Sequence, residues 1–449
     1  MKEKVIFWLG NDFTHYCLAY ALQKKQDFEL YGISEVPNKP KQFFEKQKLV
    51  SFKKIWYFQD HIEKKLNKPN MEYLEQFEKK YQIDLWKLIQ NERIFLYNDF
   101  YKFSSNEILN LIEQECRFFE TILKDIKPDF FFTKISSLQH QEIFYQMCKK
   151  LGIKTQVLNK SMLASTSILS EDPTKLDNTE NITLNRNVRN FHELQEYIKK
   201  FDLSKELKSK ILPQGTGKRD LLKASTKFFL QSNSNTHYTY YGRTKTKVLW
   251  HTSCYVLKTR FRKIFIDKNL KKEINFVDPF VYFPLQMEME RALLIGAPYY
   301  INQIEIIKWI AKSLPINFKL VVKEHPIQIA RGWRSSSEYN EILKIPNVVF
   351  LHPDVISKEI FKNCSLVITI AGNPGFEALF YGKPVITFED MRYSHLPSVK
   401  TLKNIDEFPN LIRELLDLKI ESESLDRYIE ILEKNISRFD YADFIEKLG

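Results

Sequence analysis

The stretch from Leu366 to Phe388, LVITIAGNPGFEALFYGKPVITF, constrains the fold more than any other part of this chain. Val367, Ile368, Thr369 and Ile370 form a short β-branched run, the composition of a buried parallel strand. Gly372 to Gly375 break the run, Phe376 to Phe380 read as the first turns of a helix, and Gly382, Lys383 and Pro384 end that helix and launch a second strand, Val385 to Phe388. The chain has only 12 Gly in 449 residues, and three of them fall here; ordinary proteins carry ~7%. Glycine used so sparingly points to positive φ or to close approach of a ligand to the backbone. A Gly-containing turn opening a helix after a buried strand presents N–H groups that suit a phosphate. An ordinary βα turn would explain the glycines equally well. Glu377, one turn into the helix, can accept from a ribose hydroxyl pair while a phosphate sits at the helix end.

Three segments together carry a family resemblance. Gly375, Glu377, Ala378, Leu379, Gly382, Lys383, Pro384 and Val385 resemble the G-x-E-A-L-x-x-G-K-P-V signature of GT-B glycosyltransferases. Val281 to Glu290, VYFPLQMEME, resembles the "FPLQ" strand and acidic turn of the capsule and surface-polysaccharide biosynthesis family that includes the bacterial Kdo transferases. Leu320 to Pro326, LVVKEHP, resembles that family's "K-x-HP" motif. The resemblance covers Phe276 to Glu407 well and the N-terminal half only in outline. It implies a GT-B fold: two Rossmann-like, doubly wound α/β domains facing a central cleft, here with a helical connecting region.

The rest of the chain is read from pattern. Val5 to Gly10, a helix from Thr14 to Lys24 and a strand near Phe28 to Ile33 make a β-α-β opening. Residues 41 to 125 read as amphipathic helices. Asp129 to Thr133, a helix ending near Lys150 and Thr155 to Leu158 make a second β-α-β unit. These place an N-terminal Rossmann-like acceptor domain at 1–165. Residues 166–275 read as a helical, basic connecting region, with a Ser/Thr/Asn-rich linker from Ser165 to Asn187 and a turn at Gln214 to Gly217. Strands at 280–284, 318–322, 347–350, 366–370 and 385–388 place a nucleotide-sugar-binding Rossmann-like domain at 276–410. Residues 411–449 are expected to be C-terminal helices packing back across both domains.

Composition narrows the partners. The net charge of +12 fits a polyanionic partner or simple Lys enrichment. No zinc-finger spacing, RNP-like aromatic pattern or heptad with a basic arm is present, so nucleic acid is not expected. No apolar run approaches the ~18 residues of a membrane span, and Met1 to Leu9 reads as a first strand rather than a signal peptide. Five scattered cysteines fit reduced thiols in a cytoplasmic protein. Arg243 to Lys272, with Asp267 its only acid and with Tyr255, Phe261 and Phe265 among its cations, can lie on an anionic membrane face as a peripheral contact or simply be solvated.

Candidate site residues follow from both readings. Lys323, Glu324, His325 and Pro326 close an apolar strand, at the carboxyl end where open α/β sheets bind ligands. His325 can donate to a phosphate and Lys323 adds charge; the resemblance implies that this histidine contacts the nucleotide phosphate. The donor-nucleotide set is therefore Gln286, Lys323, His325, Gly372, Asn373, Gly375 and Glu377. Glu288 and Glu290 lie two and four residues after Gln286, whereas the family pattern has its acid at the third, occupied here by Met289. Either is a candidate for the acid near the transferred sugar, with Glu290 favoured. Asn11, Asp12, Thr14 and His15 form the first βα loop; Asp12 or His15 is a candidate general base for an acceptor hydroxyl, or Asp12 and Thr14 merely cap the helix. Gln139 and His140 are secondary candidates, and Asn302 and Gln303 cap or orient the loop after Pro298. No cluster has metal-ligand spacing, so a metal-independent enzyme without a cofactor is expected, the nucleotide-sugar being a substrate.

The reading is a glycosyltransferase of surface-polysaccharide assembly, with a CMP-activated acidic sugar such as Kdo as the favoured donor and a glycan or glycolipid acceptor. Two rivals keep the fold: a sugar-nucleotide epimerase, or a teichoic-acid-type polyol-phosphate transferase. A third is a non-catalytic glycan-binding component of an export complex.

Overall fold

The computed structural model describes residues 2–36, 38–63, 67–163, 166–177, 187–200, 238–273 and 277–437. Thirteen strands are present among them: β1 (Lys4–Leu9), β2 (Glu29–Ser34), β3 (Phe52–Tyr57), β4 (Phe130–Lys134), β5 (Lys154–Lys160), β6 (Ser167–Ser170), β7 (Phe280–Pro284), β8 (Lys319–Lys323), β9 (Val348–Leu351), β10 (Leu366–Thr369), β11 (Val385–Thr387), β12 (Val399–Thr401) and β13 (Ile436–Ser437). They form two sheets, ordered β13-β6-β5-β4-β1-β2-β3 and β12-β11-β10-β7-β8-β9.

The second sheet is parallel throughout. Its strands are short and apolar because helices cover both faces. On one face Val281, Phe283, Leu320, Val322, Ile368 and Ile386 pack under the helices Gln303–Ser313, Ser336–Leu343 and Phe408–Leu416. On the other, Tyr282, Val321, Val367 and Val385 pack under Ser357–Asn363, Asn373–Leu379 and Ser422–Asn435. The first sheet is parallel from β3 to β5 and closes with the antiparallel β6 and β13. Both sheets grow outward from their first strand, then reverse: β1 to β3 on one side and β4 onward on the other, β7 to β9 on one side and β10 onward on the other. Each therefore has a topological switch point, between β1 and β4 and between β7 and β10, where ligands bind in folds of this kind.

Several expectations need correction. Residues 41 to 125 hold β3 as well as helices; its Lys-Lys pair at an exposed sheet edge masks the alternation. β12 was not expected. The first domain does not stop at 165, because β6 continues its sheet and β13 returns to it from the far end of the chain. The span 166–275 is not one connecting region either. Leu194, on the helix Phe191–Lys199, packs into the core beneath the second sheet, whereas Tyr238 is buried in the first domain's core. The turn expected at 214–217 lies outside the described residues.

Polar contacts join the two halves. Asn91 Nδ2 donates to the Pro298 carbonyl at 2.9 Å, and Arg291 Nε to the Ser136 carbonyl at 3.1 Å. Arg392 Nε and Nη1 donate to the carbonyls of Pro173 and Lys160. All five cysteines are free. No helix among the described residues is long and apolar enough to cross a membrane.

Candidate functional site

At the second switch point, β7 ends at Pro284 and the chain turns away through Leu285 and Gln286. The Gln286 backbone is held firmly. Its N–H donates to Gln303 Oε1 at 2.7 Å, and its carbonyl accepts from Gln303 Nε2 at 3.0 Å and from Arg334 Nη2 at 2.5 Å. Its side chain is the opposite case: both amide atoms are buried and neither has a hydrogen-bond partner. Across the crevice, Thr369 at the end of β10 buries its hydroxyl without a partner. Between them runs Gly372, where a Cβ would come within 3.0 Å of Gln286 Nε2 and 3.1 Å of Thr369 Oγ1. Buried polar groups are nearly always hydrogen-bonded. Three such atoms surround one glycine, on a backbone fixed from behind.

Two cationic or donor groups flank this set from β8. Lys323 is buried and donates to Ser357 Oγ at 2.9 Å. Burial lowers its pKa to about 8, against the opposing pull of Glu377 and Asp354. His325 caps the short helix Pro326–Arg331, its Nδ1 accepting from the Ile327 N–H at 3.2 Å. That bond places the imidazole proton on Nε2 and makes it a donor. Burial, then Lys323 and Arg334, lower its pKa to about 4, so it is neutral at ordinary pH. Glu377 lies within electrostatic reach of Lys323 and of the buried Tyr282 and Tyr393. The β8 and β10 segments singled out in the sequence thus converge on one face of the sheet.

The glycines divide the work differently from the expectation. Gly375 is not a phosphate donor in this structure: its N–H donates to the Gly372 carbonyl at 3.3 Å, and a Cβ there would fall 2.4 Å from the Tyr393 hydroxyl oxygen. Close packing requires it. Gly382 alone of the three has positive φ, at 63°, ending the helix Asn373–Leu379. That helix carries Pro374 in its first turn, which removes another N–H. Asn373 is exposed at its start.

The two candidate acids also separate. Glu288 accepts from Arg334 Nη1 at 3.1 Å and from Gln328 Nε2 at 2.9 Å, so its carboxylate is committed to holding the loop. Glu290 is free of such ties; burial raises its pKa, opposed by Arg331 and by Arg93 of the first domain.

In the first domain, Asp12 accepts from Lys134 Nζ at 2.9 Å and from the Thr14 N–H at 3.3 Å. Burial would raise its pKa, but Lys134 outweighs it and the net shift is downward, which makes Asp12 a weak base. His15 is fully buried with neither ring nitrogen hydrogen-bonded, and burial lowers its pKa to about 4. His140 is buried among Glu35, Glu115 and Glu92, stacked on Phe58 at 4.4 Å, with Nε2 2.9 Å from a Glu35 oxygen. Burial alone would lower its pKa; the carboxylates push it up to about 9. Gln139 belongs to the same cluster through its N–H to Glu92 Oε2 at 2.9 Å.

Sequence reasoning missed Thr369 and Arg334. Thr369 reads as one more β-branched residue of a strand. Arg334, bonded to Glu324 and Glu288 and to the Gln286 carbonyl, has no motif around it.

Residues 179–398 match the family of capsule polysaccharide biosynthesis proteins. The resemblance read from the VYFPLQMEME, LVVKEHP and GFEALFYGKPV segments is borne out, and all three lie within the matched span. The two doubly wound α/β domains, each built on a sheet with a parallel core, are the two Rossmann-like domains expected from the sequence. Among solved structures, KpsC of Thermosulfurimonas dismutans, a beta Kdo 2,7 transferase, is similar at 15% identity over 77% of this chain and 87% of its own, with a TM-score of 0.34. UDP-GlcNAc 2-epimerase of Methanocaldococcus jannaschii, in complex with UDP-GlcNAc and UDP, is similar at 14% identity over 96% and 99%, with a TM-score of 0.27. An α,α-trehalose-phosphate synthase (UDP-forming) of Burkholderia vietnamiensis is similar at 9% identity over 100% and 98%, with a TM-score of 0.33. None of the curated proteins compared matches this chain.

Proposed function

We propose that this protein is a glycosyltransferase of capsule polysaccharide synthesis that binds a nucleotide-sugar at the β7/β10 switch point and transfers the sugar to a glycan or glycolipid acceptor. The unpartnered amide of Gln286 and hydroxyl of Thr369, facing each other across Gly372, carry this reading. A sugar or phosphate brought there satisfies groups that the free protein leaves unsatisfied.

The roles follow from charge and reach. Lys323 and the Nε2–H of His325 meet the diphosphate or phosphate of the leaving nucleotide and take up its developing charge. Glu377 supports the charge on Lys323 and, by the family resemblance, accepts from a ribose. Glu290, its pKa raised by burial and Arg93 of the first domain within its electrostatic reach, is the general base for the acceptor hydroxyl. Arg334 keeps Gln286 in place. A CMP-linked acidic sugar is the donor implied by the resemblance of the VYFPLQMEME and LVVKEHP segments to the Kdo-transferase family. The epimerase reading keeps the donor site but needs no acceptor.

A thermal-shift screen of the full chain against CMP, UDP, GDP and CDP tests this. Ligand that binds only the folded state raises the melting temperature by mass action. We expect one nucleotide to stabilise the protein and Gln286→Leu to abolish the shift. No shift with any nucleotide overturns the proposal. Conversion of the donor alone into an isomer replaces it with epimerisation.

A further inference from the structure

The helix Lys245–Asn269 is built inside out. Its inward face is tied down chiefly by polar contacts. His251 Nε2 sits 3.2 Å from Asp99 of the first domain. Tyr255 OH donates to the Ala330 carbonyl at 3.1 Å and Arg262 Nη1 to the Trp333 carbonyl at 2.7 Å; Asp267, exposed near the helix end, reaches His352 Nε2 at 3.0 Å. Ile266 is the side chain that reaches full burial. The outward face carries the bulk of the apolar residues: Trp250 is 74% exposed, Phe261 70%, Ile264 62% and Leu257 54%, with Leu249 and Val256 also exposed.

These six fall on one side. At about 100° per residue they span an arc of roughly 140°. Lys247 and Lys258 border the arc on one edge and Lys245 and Lys263 on the other, while Arg260 and Lys268 stand within it together with Thr246, Ser253 and the acid Asp267. The helix holds seven Lys and Arg against the single acid Asp267, itself bonded to Lys263. An apolar strip with long cationic side chains at its borders can sink its rings into an interface while the ammonium groups reach back to the surface. Isolated exposed apolar residues need no explanation, but a continuous strip of this size does.

We propose that this helix is a docking surface for an anionic lipid bilayer. The charge decides among occupants: each Lys or Arg brought near an anionic leaflet adds attraction, whereas a second copy would set two cationic strips face to face. The helix contacts both domains and packs against Ala330–Trp333, beside Arg331, which lies in electrostatic reach of Glu290. A docked bilayer would therefore border the cleft. This proposal stands independently of the transfer reaction.

The test uses the full chain and vesicles of phosphatidylcholine, alone or mixed with phosphatidylglycerol. We expect co-sedimentation with the mixed vesicles at least tenfold stronger than with the neutral ones, weakening with salt. Trp250 emission should shift to the blue on binding, a shift lost in Trp250→Ser. The triple variant Leu257→Glu, Phe261→Glu and Ile264→Glu should abolish sedimentation. Its melting temperature and nucleotide response should stay unchanged, because these side chains contribute little to the core. Sedimentation equal in both vesicle types, or unaffected by the triple variant, overturns the proposal. So does a dimer in solution that the triple variant converts to monomer, which would assign the strip to a second copy.

Discussion

The two domains repeat one topology and treat its switch point in opposite ways. Between β1 and β4 the crevice is closed by an ion pair: Lys134, at the end of β4, reaches Asp12 in the loop after β1, and the Lys134 ammonium fills the space beside Gly10. Beneath it His140 is enclosed by Glu35, Glu92 and Glu115, with Tyr238 and Gln139 completing the network. Between β7 and β10 the corresponding crevice holds Gln286 and Thr369, neutral, buried and unpartnered. Gly10 follows β1 and has the Lys134 ammonium beside it, whereas Gly372 follows β10, the counterpart of β4, and has the unpartnered Gln286 amide and Thr369 hydroxyl beside it. One fold can thus close a crevice with its own charges or keep it ready for another molecule's. Charge, more than strand order, separates the two: both hold buried polar atoms without a hydrogen bond, His15 in the first and Gln286 and Thr369 in the second, but only the first is spanned by an ion pair.

The sharpest way to break this contrast is His140→Leu. If the first crevice is structural, removing the imidazolium leaves the buried Glu92 and Glu115 and the half-buried Glu35 without it. Breaking a buried charge pair in this way costs about 3–5 kcal/mol. We expect a large drop in the melting temperature of the first domain, while nucleotide binding at the second persists at low temperature. Lost nucleotide binding with unchanged stability would make the first crevice the ligand site and reverse the comparison.

Lys323→Met comes next. Loss of one charge-assisted contact to phosphate should weaken nucleotide binding by about 1.5–3 kcal/mol, roughly 10- to 100-fold. The wild-type should show a matching pH dependence. With a pKa of about 8, Lys323 loses its proton above that pH, so affinity falls as pH rises through it. An unchanged affinity in the variant removes Lys323 from the site.

Stability should respond to pH with different signs in the two domains. For His140 the folded pKa, about 9, lies above the ordinary 6.5. Between these values the folded state binds more protons, so its contribution is full below about 6.5 and is lost as pH rises through 9. For Lys323 the folded value, about 8, lies below 10.5. There the unfolded state binds more protons, so that group's contribution grows as pH rises from 8 to 10.5. Hydrogen exchange followed by peptide between pH 7 and 9.5 reads the two domains separately. Equal loss of protection around Gln139–Lys150 and around Lys319–Lys323 would remove the distinction.

How much of this was legible beforehand depends on whether residue type alone carries the signal. The β-branched run ending at Thr369 and the glycine-bounded helix after it predicted β10, its helix and β11 closely, because burial on both faces leaves an apolar signature. β3 stayed hidden because an edge strand carries lysines, and β6 because a short antiparallel strand follows a segment rich in turn residues. The site was legible in its outline. His325, Lys323 and Gln286 were found at strand ends, where the fold puts ligands. What the residues do was less accessible. Nothing in the string FEALFYG says that Gly375 is needed for the Tyr393 hydroxyl, or that Glu288 belongs to Arg334. Those depend on neighbours 18 and 46 positions away. Thr369 escaped for the same reason: a threonine at the end of a strand looks like a β-former until its hydroxyl is seen to have no partner.

That hydroxyl supplies the smallest test and the most discriminating one. Thr369→Val keeps the branching and the volume and deletes one polar atom. In most buried positions such a change is destabilising, because the hydroxyl was bonded and its partner is left alone. Here Oγ1 has no protein partner, so the free protein should gain. Relief of an unsatisfied buried group is worth about 1 kcal/mol, and the melting temperature should rise by a few degrees. Nucleotide-sugar affinity should move the other way. The lost bond is neutral, worth about 0.5–1.5 kcal/mol, or roughly 2- to 12-fold. A group retained at a cost to the fold and repaid in binding is expected where a protein keeps a site ready for a ligand. If Thr369→Val instead lowers the melting temperature and leaves affinity unchanged, the hydroxyl serves the fold. The second crevice would then be as closed as the first.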